Sequence, residues 1–500
     1  MSPLKPFYIT TSIAYVNGVP HVGFAMESIE ADVLARWARK QGRETFFLTG
    51  TDEHGSKVAK TAKERGILPQ ELCDENSAEF QKLGNALTLS NDDFIRTTDK
   101  ERHWTSAQKI WEKLAENGDL EKRAYTAQYC SGCETFLTEK DLVDGLCPFH
   151  KVAPETVSEE NYFFKLSKYS QEIAELLRTD ALKIVPDFRK NEILKMAEEG
   201  FTDVSFSRPT EKVSWGIPVP GDLSQTMYVW CDALTNYISA LGYGKEVEPL
   251  HATALPFQKF WNSGEVVHVI GKDILRFHAG IWIGMLLSAG IKTPDKIFVH
   301  GFLTSEGEKM SKSLGNVVDP FLEVEKYGTD ALRYFLLREV PVGRDADFSR
   351  QRFEEIYQAH LANGIGNLSS RVHKLCERNS VEPLHATALR DDFTQIIAKT
   401  EKTVTEKMDA FLIHEAIQEL FLVVDFCDKR MDEEKPWLAN EDGTVKMELM
   451  KSLLITLRWF AMELEPFLTN TAQKMKNMFG DNGEPLGEGQ MLFPRLEKLA

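Results

Sequence analysis

The sequence predicts an α/β protein built on a split, doubly wound parallel sheet and followed by a C-terminal α-helical bundle. First, residues 7–13 form a strand-like apolar stretch that passes through a Gly/Pro turn into a helical pattern over 26–40. Second, an apolar strand over 45–48 completes a β-turn-α-β beginning, which is typical of parallel sheets with ligands at the carboxyl ends of their strands. Third, amphipathic helical patterns replace strand signals from about residue 351 onward.

The middle of the chain divides the predicted sheet in sequence. Residues 57 to about 118 look largely helical, and a Cys- and Gly-rich stretch at 126–150 then indicates an inserted module. We expect the sheet pattern to resume with TMYVWCDAL at 226–234, VVHVIGKD at 266–273 and KIFVHGFL at 296–303, with an apolar helix at about 275–290. The 500 residues, 42% of them hydrophobic, suffice for about two to four domains.

Composition restricts the class of protein. No run of about 18 apolar residues occurs, and the N-terminus MSPLKPFYITTS lacks the features of a signal peptide, so we expect a cytoplasmic protein with no membrane partner. The formal net charge of −17 disfavours a polyanion partner, although a local basic strip is compatible with it. Seven cysteines are an odd number and too few for a disulfide scaffold, and three of them lie within residues 130–147, which favours metal binding.

The inserted module carries a candidate metal centre. Cys130-x₂-Cys133 and Cys147-x₂-His150, with 13 residues between them, provide four ligands in two pairs. This set suits tetrahedral Zn²⁺, and because four protein ligands leave no open position, we expect one structural zinc per chain. Unligated thiols in a loop are the alternative.

A first short motif, His21-Val22-Gly23-Phe24, lies at the junction between the first strand and the first helix. Exposed backbone N–H groups and the helix dipole favour phosphate there. Gly23 permits close approach of a nucleotide to the backbone, and His21 can donate a hydrogen bond to a phosphate oxygen. The alternative is a structural His and Gly near a turn.

A second short motif, Lys309-Met310-Ser311-Lys312-Ser313, follows the segment SEGE, which we expect to be flexible. Two lysines on a mobile loop suit the neutralisation of charge as pyrophosphate departs, because contacts made only in the transition state raise the rate. A solvated basic loop is the alternative.

The two motifs resemble the HIGH and KMSKS signatures of class I aminoacyl-tRNA synthetases, in the same order along the chain. FYITTSIAYVNGVPHVG, FLTGTDEHG, YVWCDAL, IGKDILRFHAG and KMSKSLGNVVDP are similar to segments of methionyl-tRNA synthetases, and the resemblance extends from Phe7 to the terminal FPRLE. It implies a methionine-tRNA ligase that activates L-methionine with ATP and transfers it to the 3′-terminal adenosine of tRNA(Met), including the initiator. Mg²⁺ is expected to accompany ATP.

The resemblance assigns an amino-acid pocket whose residue types suit a soft thioether, because sulfur favours aromatic edges. Asp52 is expected to pair with the substrate ammonium. The implied methionine-binding residues are Ile13, Tyr15, Asp52, Trp230, Ala233, Leu234, Tyr237 and His278. Ordinary core packing is the alternative for any one of these aromatics, but not for the set.

Further site residues follow from the same resemblance. The implied ATP-binding residues are His21, Gly23, Lys309, Ser311 and Lys312, of which His21, Lys309 and Lys312 are expected to be catalytic. Arg208 and Asp273 match positions near the substrate or ATP, with a structural charge pair as the alternative.

The helical region matches positions that recognise the CAU anticodon in the family. These are Asn367, Arg371 and Trp437, and such residues act by hydrogen bonding to splayed bases and by stacking on them. Asn367 and Arg371 are four residues apart and therefore share one helix face. For Trp437, a core indole is the alternative.

The resemblance also implies a domain organisation. A Rossmann-like catalytic domain occupies 1–118 and 226–325, and a connective insertion with a zinc knuckle occupies 119–225. A stem-contact segment at 326–350 leads into a helical anticodon-binding domain at 351–500. The chain stops soon after the bundle, without the extra domain that dimerises some relatives, and we expect a monomer.

One position departs from the family pattern. The first signature usually ends in His, and Phe24 stands there. Because Phe cannot donate a hydrogen bond to a phosphate, one expected contact is missing, and we expect an effect on the activation rate or on ATP placement.

Three other functions remain open. The first is a class I synthetase for leucine, isoleucine, valine or cysteine, although the large aliphatic-specific enzymes carry a long editing insertion and the cysteine enzyme has zinc ligands in its pocket. The second is a non-catalytic paralogue that binds tRNA or a protein, against which the two lysines of the second motif argue. The third is a nucleotidyltransferase that makes adenylates without tRNA, which the helical region disfavours.

Overall fold

The computed structural model of the chain describes residues 4–131, 135–137, 141–245, 256–310, 316–381, 389–439, 446–480 and 485–496. The chain forms two compact units. The first, termed the sheet unit, draws on residues 1–20, 42–84 and 90–300, and the second, termed the helical unit, draws on residues 21–41, 85–89 and 301–500.

Strands occur in both units. In chain order they are β1 (Phe7–Thr10), β2 (Ala14–Tyr15), β3 (Thr45–Asp52), β4 (Asp93–Arg96), β5 (Leu120–Cys130), β6 (Thr135–Leu137), β7 (Glu155–Phe164), β8 (Lys183–Val185), β9 (Val204–Ser205), β10 (Ser207–Pro209), β11 (Pro218–Val219), β12 (Asp222–Met227), β13 (Glu265–Gly271), β14 (Lys296–His300), β15 (Leu303–Ser305), β16 (Glu308–Lys309) and β17 (Ala346–Phe348).

The α-helices follow the same chain order. They are α1 (Val22–Lys40), α2 (Ser56–Arg65), α3 (Pro69–Ala86), α4 (Thr105–Glu116), α5 (Ser170–Arg178), α6 (Asp187–Glu199), α7 (Val229–Ser239), α8 (Ile283–Ala289), α9 (Pro320–Tyr327), α10 (Thr329–Glu339), α11 (Arg350–Ile356), α12 (Asn367–Arg378), α13 (Asp391–Asp409), α14 (Ile413–Glu434), α15 (Met447–Leu464) and α16 (Thr469–Phe479). Short π-helical segments lie at Lys100–Trp104, Phe257–Asn262, Phe277–Trp282 and Tyr357–Gly366, and 3₁₀ turns lie at Leu166–Tyr169 and Lys272–Ile274.

The sheet unit is built on a parallel sheet of seven strands. Their order is β2-β3-β1-β13-β14-β8, with β4 also paired to β3, and every pair runs parallel. Tyr8 of the central strand β1 lies in register with Phe46 of β3 and with Val266 of β13. The predicted parallel sheet, split in sequence by an insertion, is therefore confirmed.

The central strands are apolar on both faces. All four residues of FYIT in β1 are buried, and in EVVHVIG of β13 only Glu265 is not. Continuous apolar runs are typical of parallel strands that helices cover on both sides. Trp261 and Trp282, both 0% exposed, belong to the surrounding core.

Residues 226–234 differ from the prediction that they add to this sheet. β12 ends at Met227 and pairs antiparallel with β10 and β11 in a separate sheet. VWCDALTNYIS then forms α7, in which every residue from Cys231 to Ser239 is buried. The prediction is wrong because a short apolar run is compatible with a buried strand or a buried helix, and periodicity does not separate the two.

The predicted insertion, 119–225, contains an antiparallel sheet of four strands in the order β6-β5-β7-β9, whereas β8 within these bounds belongs to the parallel sheet. β5 and β7 pair from Leu120 opposite Phe164 to Tyr129 opposite Glu155. Cys130 is the last residue of β5. The long ladder therefore ends at the candidate metal centre.

Helix α1 belongs to the helical unit. Arg333 of α10 and Asp32 of α1 form an ion pair of 2.8 Å between side chains that are both 0% exposed. Arg333 also donates hydrogen bonds to the carbonyls of Leu87, Pro466 and Phe467. Because a buried guanidinium requires partners on all sides, these contacts fix α1 among the C-terminal helices.

Beyond residue 351, the described residues form helices and no strand, as predicted. No helix in the described part of the chain is long and apolar enough to cross a membrane.

Candidate functional site

Asp52 is the last residue of β3, at the carboxyl edge of the parallel sheet. Tyr15 of β2 lies opposite it, and the N–H of Val16 donates to the Asp52 carbonyl at 3.1 Å. Asp52 is only 7% exposed. Strand pairing thus places two of the predicted amino-acid-binding residues side by side.

The residue after Asp52 fixes the backbone at this point. Glu53 is fully buried, and its carboxylate accepts hydrogen bonds from Arg96 at 2.6 and 3.0 Å and from Thr51 at 2.8 Å. Burial opposes the charge of Arg96, but hydrogen bonds and attraction from Glu53 and Asp74 raise its pKa above the usual value. Because bidentate, charge-assisted pairs are strong and directional, the turn after β3 is held in one geometry.

Helix α7 carries four of the predicted pocket residues on one face, since they lie three, four and seven positions after the first. They are Trp230, Ala233, Leu234 and Tyr237. Trp230 and Ile13 pack against the hydrophobic core that contains Leu234 and Tyr237.

His278 joins two of these aromatic side chains. Its Nε2 lies 2.7 Å from the Tyr237 hydroxyl, and its Nδ1 lies 3.0 Å from the Ile274 carbonyl oxygen. Because a carbonyl only accepts, the proton of the neutral imidazole is on Nδ1, and Nε2 accepts from Tyr237. Trp230 stacks on Phe277 with ring centroids 3.9 Å apart and lies edge-on to His278 at 6.4 Å.

A buried carboxylate connects α7 with the turn after β3. Asp232 of α7 accepts hydrogen bonds from His54 Nδ1 at 2.5 Å and from His103 Nε2 at 2.6 Å. Burial alone would raise the pKa of Asp232, but the two histidines outweigh it and lower this pKa below the usual value. The carboxylate is therefore ionised at neutral pH, and it links the turn of Asp52 to the helix of Trp230.

Arg208 of β10 is buried. Its Nη1 donates to the Ser205 hydroxyl and to the Ser207 carbonyl, both at 2.7 Å. Its guanidinium lies 4.8 Å from the centroid of the Tyr228 ring, and it shares the lining of a small cleft with His54. The geometry thus places Arg208 near the turn after β3.

Asp273 lies two residues after the end of β13, at the same edge of the sheet. A Cβ at Gly271 would lie 2.8 Å from Asp273 Oδ1 and 3.5 Å from His300 Cε1. Glycine at the end of β13 therefore allows the Asp273 carboxylate to approach the strand.

Three of the four predicted metal ligands meet in the insertion. The Sγ atoms of Cys130 and Cys147 each lie 3.8 Å from His150 Nδ1, and the three ligand atoms lie within 4.8 Å of one another. A tetrahedral zinc places sulfur and nitrogen ligands about 3.5 Å apart, so the arrangement fits this metal. Both cysteines are buried and form no disulfide. Cys133 lies outside the described residues.

In the helical unit, His21 caps the N-terminus of α1. Its Nδ1 accepts a hydrogen bond from the Gly23 N–H at 3.0 Å. The proton of the neutral ring is therefore on Nε2, the nitrogen that can donate to an anion. A Cβ on Gly23 would lie 2.8 Å from His21 Cε1, so this cap requires glycine. The Val22 N–H donates to the carbonyl of Val318, which joins the first motif to the segment after the second.

The second motif follows a hairpin formed by β15 and β16. Glu306 and Gly307 at its tip have φ angles of 51° and 81°, which are typical of two-residue hairpin turns. The Gly307 N–H donates to Asp347 Oδ1 at 2.8 Å, and the Arg350 N–H donates to Glu306 Oε1 at 3.0 Å. SEGE forms a tight turn that two carboxylates contact, and its flexibility stays a prediction.

Parts of the second motif lie outside the described residues, namely Ser311, Lys312 and Ser313. For Lys309 the backbone alone is described, and it pairs with Thr304 of β15.

Arg371 of α12 contacts the other predicted aromatic residue of the helical unit. Its guanidinium lies 5.4 Å from the ring centroid of Trp437, and its nitrogens lie 3.4 Å from Asp428 and 3.0 Å from Asp432. Trp437 is 44% exposed, which excludes the interpretation as a core indole. Asn367, the first residue of α12, is half-buried one turn before Arg371.

The sequence patterns did not identify several residues that connect the elements of this site. These are Glu53, Arg96, His54, His103 and Asp232, with Phe277 as the stacking partner of Trp230. A signal was present, because TDEHG places three ionisable side chains directly after an apolar strand, where each requires a partner.

The chain is similar to proteins of one family over nearly its whole length. The family model described as tRNA synthetases class I (M) matches residues 7–156 and 149–373. A methionine–tRNA ligase of Rhizobium meliloti is 43% identical over 489 residues, which are 96% of this chain and 92% of that protein. A methionine–tRNA ligase of Brucella suis is 40% identical over 519 residues, which are 98% of each chain.

Solved structures agree with these relatives. The methionyl-tRNA synthetase of Mycobacterium tuberculosis in complex with methionyl-adenylate has a TM-score of 0.90 and 35% identity, and the match covers 98% of this chain and 100% of that one. The free state of that enzyme has a TM-score of 0.83 and 32% identity, with 99% of each chain covered.

Asp428→Asn is expected to stabilise the helical unit at neutral pH. Burial raises the pKa of Asp428 to about 6 against the attraction of Arg371, whereas the usual value is 3.8. The Asp428 carboxyl therefore ionises at a lower pH in the unfolded chain than in the folded one. The folded state loses stability as the pH rises from about 4 to about 6, and the loss stays constant above about pH 6. After a discount for partial exposure, Asn should add about 1 kcal/mol to the unfolding free energy at pH 8.

Urea unfolding of the wild type and the variant at pH 4.5 and pH 8 measures this effect. The control Asp432→Asn alters a side chain that is 70% exposed and should change the free energy by less than about 0.5 kcal/mol. A stabilisation that is the same at both pH values contradicts the assignment.

Proposed function

We propose residue roles for this chain, which belongs to the class I methionyl-tRNA synthetases. The chain is an ATP-dependent methionine–tRNA ligase. In the first step, the methionine carboxylate attacks the α-phosphorus of ATP and pyrophosphate leaves. In the second step, the 3′-terminal ribose hydroxyl of tRNA(Met), initiator included, attacks the adenylate carbonyl and AMP leaves.

The amino-acid pocket is carried by the end of β3, by α7 and by the segment after β13. Asp52 pairs with the ammonium of methionine, and Tyr15 lies beside it. Trp230 and Tyr237 present aromatic surfaces to the thioether, at roughly 0.3–1.5 kcal/mol per sulfur–aromatic contact. The hydrogen bond between Tyr237 and His278 is the observation that carries this proposal, because it orients both rings.

The remaining pocket residues complete the enclosure. Ile13, Ala233 and Leu234 contribute apolar surface, so that smaller aliphatic side chains fill the pocket poorly. One methylene is worth only about 1–3 kcal/mol in such a pocket, which limits discrimination by size alone. Arg208 and Asp273 act as polar groups close to the substrate or ATP.

The nucleotide is bound by residues of the helical unit. His21 donates from Nε2 to a phosphate oxygen, a role that its Nδ1 contact with Gly23 supports. Gly23 and Ser311 complete the binding of ATP. Phe24 makes no polar contact with phosphate, so His21 contributes the hydrogen bond from this motif alone. Mg²⁺ accompanies ATP and neutralises part of its charge.

Lys309 and Lys312 stabilise the transition state of the first step. Charge develops on the leaving pyrophosphate, and ammonium groups aimed at it lower the barrier without binding the ground state equally tightly. Lys309 ends strand β16 of a hairpin, and Asp347 and Glu306 hold the turn of this hairpin.

Cys130, Cys133, Cys147 and His150 would hold one Zn²⁺ ion per chain in the insertion. Its role is structural, because four protein ligands leave no position for a reacting water. The surrounding hydrophobic core is small, with Leu137 and the two buried cysteines at its centre, so metal–ligand bonds replace apolar packing here.

The helical unit recognises the anticodon through Asn367, Arg371 and Trp437. The exposed indole stacks on a splayed base, and Arg371, already in contact with it, donates to a base edge.

The catalytic domain comprises 1–118 and 226–325, the insertion 119–225, the stem-contact segment 326–350 and the anticodon-binding domain 351–500. The protein acts as a cytoplasmic monomer.

Methionine-dependent exchange of labelled pyrophosphate into ATP tests the first step. Methionine should support exchange, whereas leucine, isoleucine, valine and cysteine should not. Lys312→Ala should lower kcat at least about 100-fold with little change in the methionine KM, because the lost contact exists only in the transition state. The control is Lys402→Ala, at a side chain that is 77% exposed, which should leave the rate unchanged. Exchange with none of these amino acids would sink the assignment.

Metal content tests the insertion. Purified protein should hold about one zinc per chain, and Cys147→Ser should lose it, since three ligands bind far more weakly than four. Cys376→Ser, at a buried thiol of the helical unit, should retain the metal. A folded wild-type protein without metal contradicts the zinc assignment.

A further inference from the structure

A buried charge cluster lies outside the proposed pocket. It holds α7, the helix that carries four of the pocket residues. Asp232 lies between Trp230 and Ala233 in α7 and is 0% exposed. Each oxygen of its carboxylate accepts one imidazole N–H, Oδ2 from His54 at 2.5 Å and Oδ1 from His103 at 2.6 Å. The side chains of all three residues are at most 2% exposed.

The first histidine belongs to the turn after β3. His54 is two residues beyond Asp52, and its ring lies edge-on to the indoles of Trp104 and Trp215, with centroids 5.9 and 5.6 Å away. The indole N–H of Trp215 donates to the Glu53 carbonyl at 2.6 Å. Packing therefore fixes the ring of His54, and its Nδ1–H is directed at Asp232 of α7.

The second histidine holds α7 at a further point. His103 lies in the π-helical segment before α4, and its Nδ1 is 2.9 Å from the Ser239 hydroxyl at the other end of α7. One imidazole thus contacts Asp232 and Ser239, which are seven residues apart. This double attachment sets both the position and the rotation of the helix.

We infer that Asp232 is a positioning residue for methionine binding, which with His54 and His103 fixes α7 relative to Asp52. The inference rests on the proposed methionine pocket, in which Asp52 binds the ammonium and α7 surrounds the side chain. The ammonium and the side chain of methionine are bound at the same time only if the distance between Asp52 and α7 is correct. Asp232 touches neither substrate and acts through the helix.

A carboxylate is suited to this role by its hydrogen-bonding groups. It accepts from two N–H donors on separate oxygens, whereas Asn offers one oxygen and an NH₂ group that opposes the second imidazole N–H. Buried ionic groups contribute little net stability compared with apolar packing, so geometric specificity is the role that we assign to this cluster.

If Asp232 had a purely structural role, its substitution would affect stability and not methionine affinity. Asp119 is the control for such a structural role. This carboxylate is also buried in the sheet unit, where it accepts hydrogen bonds from Lys168 at 2.8 Å, Tyr169 at 2.5 Å and Ser288 at 2.7 Å. None of these partners belongs to the proposed pocket. Asp119→Asn should therefore lower the melting temperature without changing substrate affinity.

The test is pyrophosphate exchange with methionine and ATP varied separately, on the full chain. Asp232→Asn is expected to raise the methionine KM about tenfold and to leave the ATP KM within about twofold of wild type. His54→Leu should have the same effect, whereas His54→Asn should stay near wild type, because its amide N–H takes the place of Nδ1. If Asp232→Asn does not fold, the comparison of the methionine KM between His54→Leu and His54→Asn tests the inference.

Four outcomes overturn the inference while the wild type remains active with methionine. The first is an unchanged methionine KM in Asp232→Asn and His54→Leu, and the second is a rise in the ATP KM of these variants equal to the rise in their methionine KM. The third is the same methionine KM in His54→Asn and His54→Leu. The fourth is a rise in the methionine KM of Asp119→Asn equal to that of Asp232→Asn. No methionine-dependent exchange by the wild type instead removes the proposed function itself.

Discussion

Parallel pairing of β1 with β3 on one side and with β13 on the other is the constraint on which the site depends. It aligns Phe7 to Thr10 with strands that begin at Thr45 and Glu265. Because parallel strands end at one edge, the residues that follow them meet there although they are far apart in sequence. β3, which ends at Asp52, and β13, which is followed by the segment containing His278, both end at this edge, and the insertion is accommodated without disturbing the order of the strands.

Pairing brings the strand ends together, but buried charges give the following turns one conformation. Glu53 binds Arg96 of β4, and His54 binds Asp232 on α7, so consecutive residues attach the same turn to two different elements. At the hairpin where the second motif begins, the exposed carboxylates of Asp347 and Glu306 hold the turn by accepting hydrogen bonds from backbone N–H groups. The irregular backbone of each of these turns is thus ordered by specific polar contacts.

The sequence allowed the parallel sheet, the helical C-terminal part and three converging metal ligands to be predicted, because each has a local pattern. The strand–turn–helix of residues 7–40 is one such pattern, and the spacing of Cys130, Cys147 and His150 is another. Residues 226–234 were misassigned because an apolar run does not distinguish a buried helix from a strand. The hairpin turn at Glu306–Gly307 is not predicted from the sequence, although Gly before a second strand signals such a turn. The partners of Asp232 were not predictable, since they lie on other elements that only the tertiary fold brings near.

The central claim is that Asp52 and the aromatic residues of α7 form one site for methionine. Calorimetric titration of the wild type and of Asp52→Asn with L-methionine and with 4-(methylthio)butanoate, which lacks the ammonium, tests it directly. The wild type should bind methionine at least about tenfold more tightly than the analogue, and Asp52→Asn should abolish this preference by weakening methionine alone. Equal affinity of the wild type for the two ligands, or an undiminished preference in Asp52→Asn, would contradict the account.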